Sequence, residues 1–195
     1  TDAVAGEADR RLPRAFRRVV VPSRWAARAF PDSADVAVVP LGVDLATFHP
    51  QHGRVPDGGP VRLVAVMRLS REKRPQLAID TLGALRASGV DAELHLLGDG
   101  PMRGALASRA RDLPVTFHGF VRERRRVASL VAGCDVALVT CGVETFGLAA
   151  LEALACGTPV VATTGGAVGE LVTADAGLVA PPSPRELAGA VRRVL

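Results

Sequence analysis

Two glutamates eight positions apart, Glu144 and Glu152, stand out in the stretch CGVETFGLAALEALACGTPVV (141–161). From Thr145 to Cys156 this stretch reads as one short helix, apolar, small or uncharged at every position except Glu152. A helix rises about 1.5 Å per residue, so the two carboxylates would lie at most about 12 Å apart along its axis, on roughly the same side. Carboxylate pairs that hydrolyse glycosides usually stand closer than that. One extended ligand touching both is the better geometric fit. Phe146, Gly147 and Leu148 would fall in the first turn, where free N–H groups can hold a phosphate between the glutamates. Gly147 weakens a helix at such a place, as expected if a ligand must approach the backbone closely. The competing reading of Glu152 is an ion pair with one of the chain's 23 arginines.

A lone lysine points the same way. Of the 24 basic residues only Lys73 is Lys, and an ammonium is a compact point donor that Arg replaces poorly. In MRLSREKRP, Arg68 and Lys73 flank a turn between a strand and a helix opened by Arg74-Pro75, with Pro suited to the first helical turn. Two cations beside a helix N-terminus make an anion pocket; the plainer alternative is a solvated basic loop. In LLGDGPMR (96–103), Gly98 and Gly100 allow a tight turn that brings backbone near a ligand, and Pro101 opens the next helix. An ordinary turn explains that motif equally well, and the third glycine of a dinucleotide fingerprint is missing. In FHGFVRERRR (117–126), Gly119 turns the chain ahead of Val121 and leaves main-chain groups for a planar base. Glu123 can accept paired hydrogen bonds from a guanine edge, or it can simply belong to a solvated helix start. His118 and His95 read as structural.

These residues need a scaffold that gathers strand ends. The sequence supplies one, because short runs of Val, Leu and Ala at 61–69, 92–98, 114–120, 135–140, 158–163 and 176–181 alternate with amphipathic helices. That is the pattern of a parallel sheet covered on both faces, a doubly wound α/β fold, whose ligands bind where strands end and helices begin. Ahead of it RRVVVPS (17–23) and ADVAVVP (34–40) read as strands, with Ser23 an N-cap for the helix between them. The expected organisation is 1–40 as the end of a preceding domain, 41–60 as a Pro- and Gly-rich linker, and 61–195 as the main domain. Thr1 is no initiator Met and no signal-peptide pattern follows, so the start reads as a cut inside a longer protein.

Composition removes several classes. With 4% aromatic residues, no Tyr and a net charge of +4, the chain lacks a basic-aromatic platform for nucleic acid. No apolar run approaches the roughly 20 residues that span a bilayer. Cys134, Cys141 and Cys156 have neither metal-ligand spacing nor an even count, which favours buried thiols in a reducing compartment.

Taken in order and spacing, RLSREK after a strand, GDGP, FHGFV, ETFGLAALEALACGTPVVAT and the following GG resemble the C-terminal domain of retaining nucleotide-sugar glycosyltransferases with two Rossmann-like domains, the GT-B fold. PLGVDLATFHP is similar to the interdomain segment these enzymes usually write Pro-Asn-Gly-Val-Asp, with Leu41 in place of Asn. The resemblance covers residues 17–195. It implies that Arg68 and Lys73 clamp the donor diphosphate, that Glu144 holds the donor sugar's hydroxyls and that Glu152 binds the ribose diol. The amides of Phe146, Gly147 and Leu148 would meet phosphate or sugar oxygens, and the loop of Gly119, Val121 and Glu123 the base. No Asp-x-Asp metal motif is present, which fits enzymes of this kind that need no metal cofactor.

Within that group, MRLSREKRPQLAID and GDGPMR most resemble actinobacterial mannosyltransferases that extend phosphatidylinositol mannosides from GDP-mannose. The resemblance implies a lipid or glycan acceptor held by an N-terminal domain, no nucleic-acid partner, and a cytoplasmic setting with room for peripheral contact at the inner face of the plasma membrane. It also implies that 1–195 alone, without that domain, does not turn over. The rivals are an epimerase or phosphorylase of the same fold, another donor nucleotide, and a non-catalytic nucleotide-binding module. A dinucleotide oxidoreductase is disfavoured, because TTGGAVG (163–169) lacks the required glycine spacing.

Overall fold

Val-, Leu- and Ala-rich runs become strands that share one direction. In the computed structural model, which describes residues 16–32, 34–50 and 58–195, six of them form a parallel sheet: β3 (Val61–Val66), β4 (Ala92–Leu97), β5 (Val115–Gly119), β6 (Val136–Val139), β7 (Val160–Thr163) and β8 (Gly177–Ala180). The spatial order is β5-β4-β3-β6-β7-β8. Two further strands, β1 (Val19–Val21) and β2 (Val36–Val38), pair in parallel as a separate ribbon. Residues 1–15 of the expected preceding domain and 51–57 of the expected linker lie outside the described residues.

Helices cover both faces, as a sheet of nearly continuous apolar strands demands. On one face α2 (Pro75–Ala87), α3 (Arg103–Arg109) and α6 (Pro184–Val194) close over Leu63, Leu94, Leu96, Val136 and Val161. On the other, α4 (Arg124–Ala132) and α5 (Leu148–Ala155) pack on Val64, Ala137, Val160 and Ala162, and Phe48 from the 41–50 segment joins that core. The expected elements are all present with trimmed ends, and Pro75 opens α2 as the first-turn reading required. Pro101 does not open a helix: Pro101 and Met102 form a turn, and α3 starts at Arg103.

The order of the strands decides where a ligand can sit. From β3 the chain winds outward to β4 and β5, then returns past β3 to lay down β6, β7 and β8. The crevice at this reversal, between the ends of β3 and β6, is the usual ligand site of such sheets. At the rim, β5 has only β4 as a neighbour, and its register slips beside Leu96 and Leu97.

The ribbon is tied to the sheet's loops. Between β1 and β2 lies α1 (Arg24–Ala27), capped as expected by Ser23, whose Oγ accepts from the Ala26 amide at 3.0 Å. The same hydroxyl donates to the Thr145 carbonyl at 2.6 Å, and the Glu170 carboxylate accepts from the Arg24 and Trp25 amides at 2.9 and 2.6 Å. All three cysteines are free and buried. Among the described residues no helix is long and apolar enough to cross a membrane.

Candidate functional site at the strand reversal

The loops leaving β3 and β6 bring Lys73 and Glu144 together. Lys73 Nζ donates to Glu144 Oε2 at 2.6 Å, with side chains only 30% and 20% exposed. Burial alone would pull the ammonium's pKa down, but the hydrogen bond and charge of Glu144, with Cys141 and Glu72 beyond, leave it raised. Both loops are held by their main chains. The Thr140 hydroxyl, at the end of β6, donates to the Lys73 carbonyl at 2.7 Å, and the Ala167 amide donates to the Glu144 carbonyl at 2.7 Å.

Lys73 closes a short 3-10 turn, Arg71–Lys73. The next residue, Arg74, takes a left-handed conformation (φ 51°) to enter α2, an uncommon state for a side chain other than glycine. Its guanidinium lies against Gly142, on the loop that leads to Glu144. Nothing in the order of residues around Arg74 announced this placement.

Three adjoining hollows run along the strand ends. The first, about 270 Å³, is bordered by Met67, Lys73, Thr140, Glu144, Gly147 and Leu148. Met67 leads into the second, about 410 Å³, with Arg68, Gly98, Phe120 and Val121 on its walls. Phe120 and Val121 continue into a third of about 350 Å³, where Glu123 and His118 stand. Lys73, Glu144, Arg68, Gly147, Leu148, Val121 and Glu123 therefore border a trough made of three hollows that share wall residues. Gly119 turns the chain into it with φ 67°. Phe120, 74% exposed, is a wall residue the sequence reading passed over; an aromatic directly after a turn glycine was the available signal.

The start of the glutamate-bearing helix differs from expectation. Residues 145–147 are not helical: α5 starts at Leu148, and Gly147 is its cap, in a left-handed conformation at φ 100°. A Cβ there would come within 2.8 Å of Val168 Cγ2, so the 167–170 turn itself requires the glycine. Leu148 thus begins the first turn, where amides lack intrahelical partners, whereas Phe146 is buried ahead of it and does not belong to the helix. In the GDG motif the plainer of the two readings, an ordinary turn, accounts for the glycines. A Cβ on Gly98 would lie 1.9 Å from the Met67 carbonyl oxygen, and one on Gly100 2.5 Å from that of Leu69. These glycines admit the neighbouring β3 loop; closeness to a ligand is not what demands them.

Glu152 sits apart from the three hollows, on α5 facing α4. Arg124 Nη2 donates to its Oε1 at 3.0 Å, the side chains being 61% and 16% exposed. The arginine partner weighed for Glu152 in the sequence is therefore present. Burial pushes the Glu152 carboxyl above its ordinary value, against the opposing charge and hydrogen bond of Arg124. His95 and His118 pair with each other, Nδ1 to Nε2 at 3.0 Å, with His95 also against Glu93. Burial first, then His95 and Arg126, lowers the His118 pKa.

A trough at the reversal point, floored by a cation–carboxylate pair and headed by a helix N-terminus, is suited to a ligand with a phosphorylated middle. The family model of the glycosyl transferases group 1 matches residues 60–195. The chain belongs to this family. Over 171 residues the chain is 46% identical to the GDP-mannose-dependent alpha-(1-6)-phosphatidylinositol dimannoside mannosyltransferase of Mycobacterium tuberculosis, covering 84% of this chain and 44% of that protein. It is 35% identical over 171 residues to a glycogen synthase of the same species, covering 85% of this chain and 41% of that protein. The chain spans less than half the length of these curated relatives. Among solved structures, that of Anabaena HepE in complex with UDP-glucose superposes with a TM-score of 0.82 at 24% identity, covering 99% of this chain and 58% of that one. Sucrose-phosphate synthase of Thermosynechococcus elongatus gives 0.74 at 28% identity, over 91% of this chain and 48% of that one. The parallel α/β, GT-B-like fold expected from the sequence is thus the fold of this chain.

Proposed function

We propose that the chain is the donor-binding part of a retaining hexosyltransferase that moves mannose from GDP-mannose to a lipid or glycan acceptor such as a phosphatidylinositol mannoside. The observation that carries this reading is the Lys73–Glu144 pair at the reversal point, 2.6 Å apart and beside the start of α5. A sugar leaves a nucleoside diphosphate as negative charge builds on the phosphate. Lys73, Arg68 and the amides opening at Leu148 are placed to stabilise that charge, and such preorganised electrostatics is a large part of catalysis. No metal is needed for this charge balance. Glu144, an acceptor-only carboxylate, then takes the donor sugar's hydroxyls. Glu152 takes the ribose diol, and the loop of Gly119, Val121 and Glu123 the base.

Two facts support guanine and mannose. Glu123 stands exposed at the far end of the trough, and the 46% identical relative is named as GDP-mannose-dependent. The resemblance to a glycogen synthase favours a second reading, in which the same trough takes another nucleotide-sugar. The acceptor site, and with it turnover and any contact with a membrane, belongs to a neighbouring domain on either reading.

Calorimetric titration of GDP, UDP and ADP, each with and without mannose or glucose, tests this. GDP binding most tightly is the expected result. UDP binding more tightly than GDP removes the mannosyl assignment and retains the donor site; no heat with any nucleotide removes the donor site itself.

A further inference from the structure

Arg124 is the first residue of α4, where its charge opposes the helix dipole. Its side chain is 61% exposed, and an exposed ion pair adds little to stability. The helix dipole therefore does not account for an arginine here. Its two contacts do. The guanidinium carbon lies 4.9 Å from the centroid of the Phe48 ring, and Nη2 donates to Glu152 Oε1 at 3.0 Å. Phe48 is only 1% exposed. Its amide is bonded to the Asp44 carbonyl at 2.8 Å, in a turn where the Asp44 carboxylate accepts from the Ala46 amide and the Thr47 hydroxyl. The stacking surface is thus a fixed feature of the 41–50 segment, and it sets where the fork of Arg124 can point.

We propose that Arg124 is a positioning residue of the nucleotide site: braced on Phe48, its guanidinium holds one oxygen of Glu152 so that the other is presented to the ribose hydroxyls. This rests on the reading of Glu152 as the ribose ligand. Among the described residues Oε2 takes no hydrogen bond, so an acceptor remains for the diol. The titratable and charged groups that act on this carboxylate are Arg124 from α4 and Cys156 one turn along α5; from the 41–50 segment, Asp44 acts on Arg124 and the His49 backbone on the Cys156 thiol. The Cys156 thiol, pushed up to about 11 by burial and then by Glu152, stays neutral. Arg124 is then the cation that keeps Glu152 ionised against its burial. Without it the carboxyl protonates at a higher pH, and a protonated carboxyl is a poorer acceptor for the diol.

The test is calorimetric titration of GDP and of inorganic pyrophosphate into full-length wild type, Arg124→Met and Arg124→Lys, from pH 8 to pH 5.5. Met keeps the apolar stem over Phe48 and removes the charge. In Arg124→Met, GDP affinity is expected to fall about 3- to 10-fold at pH 8, the scale of one hydrogen bond, and further toward pH 5.5. Pyrophosphate affinity stays at the wild-type value, and Lys restores part of the pH profile. An equal loss for pyrophosphate, a GDP loss independent of pH, or tighter GDP binding in Arg124→Met overturns the assignment. Wild type that binds pyrophosphate but gains nothing from the nucleoside overturns the ribose reading of Glu152. Wild type that binds neither removes the donor site as a whole.

Discussion

Lys73 and Glu144 meet on two loops, leaving β3 and β6, beside the hollows; Arg124 and Glu152 meet outside them, on two helices, α4 and α5. Both members of the loop pair are largely covered, with the Thr140 hydroxyl donating to the Lys73 carbonyl and the Ala167 amide to that of Glu144. The helix pair has a covered carboxylate and an arginine standing mostly in water. Enclosure makes each charge of the first pair dependent on the other, since a half-buried ion without its partner is costly. In the second, the dependence runs one way: Glu152 needs a cation, and Arg124 has solvent. The two carboxylates that look equivalent in the sequence should therefore answer the same substitution with opposite signs.

The largest expected effect is Lys73→Ala, which should weaken nucleoside diphosphate binding by about 1.5–3 kcal/mol, the scale of a charge-assisted hydrogen bond. Calorimetry with GDP measures it, and unchanged affinity would return Lys73 to a solvated loop. Next, Glu144→Gln leaves the Lys73 ammonium with a neutral neighbour and should lower stability by about 1–2 kcal/mol in urea unfolding at pH 7. Because the folded Lys73 pKa is raised, this stabilisation is fully present below about 10.5. The gap to wild type should close as pH rises through the folded value, and a gap that persists there breaks the pairing argument. Gly166→Ala would place a Cβ 2.9 Å from the Glu144 amide nitrogen. Overpacking of about 1 kcal/mol should appear as a lower Tm, together with weaker GDP binding as Glu144 moves; weaker binding at unchanged Tm would separate the two.

The smallest effect carries the contrast. Burial raises the folded pKa of Glu152, so its ionised form disfavours the fold at neutral pH. Its favourable contribution is complete only below about 4.5 and is lost as pH rises through the folded value. Glu152→Gln should accordingly raise Tm slightly at pH 7 and lose that advantage on acidification below 4.5. A fall in Tm at pH 7 would make the two pairs alike.

What could be seen beforehand follows the same division. Strands and their order of appearance were legible because each is a short apolar run between helices, and Lys73 and Glu144 lie directly after two such runs. Ser23 was legible as a cap because the hydroxyl acts within one turn of its own residue. The start of α5 was misplaced because Thr145 and Phe146 carry no helix-breaking mark, while the demand on Gly147 comes from Val168, a neighbour only in the fold. Gly98 and Gly100 answer to Met67 and Leu69 in the same way. Arg124 was hidden among 23 arginines; its role depends on α4 and Phe48 arriving beside Glu152, which no local spacing encodes.

The position of β5 at the rim of the sheet has a consequence for how such proteins diversify. The residues read here as handling phosphate and sugar hang from β3 and β6, the hub of the sheet, where any shift disturbs strands on both sides. The loop from Gly119 to Glu123 hangs from a strand with a single neighbour and an already irregular register. Insertions and substitutions in that loop can be absorbed without repacking the hub, so the margin of the sheet can drift while the Lys73–Glu144 pair stays fixed. A scaffold divided in this way can reshape its margin while its centre is left intact.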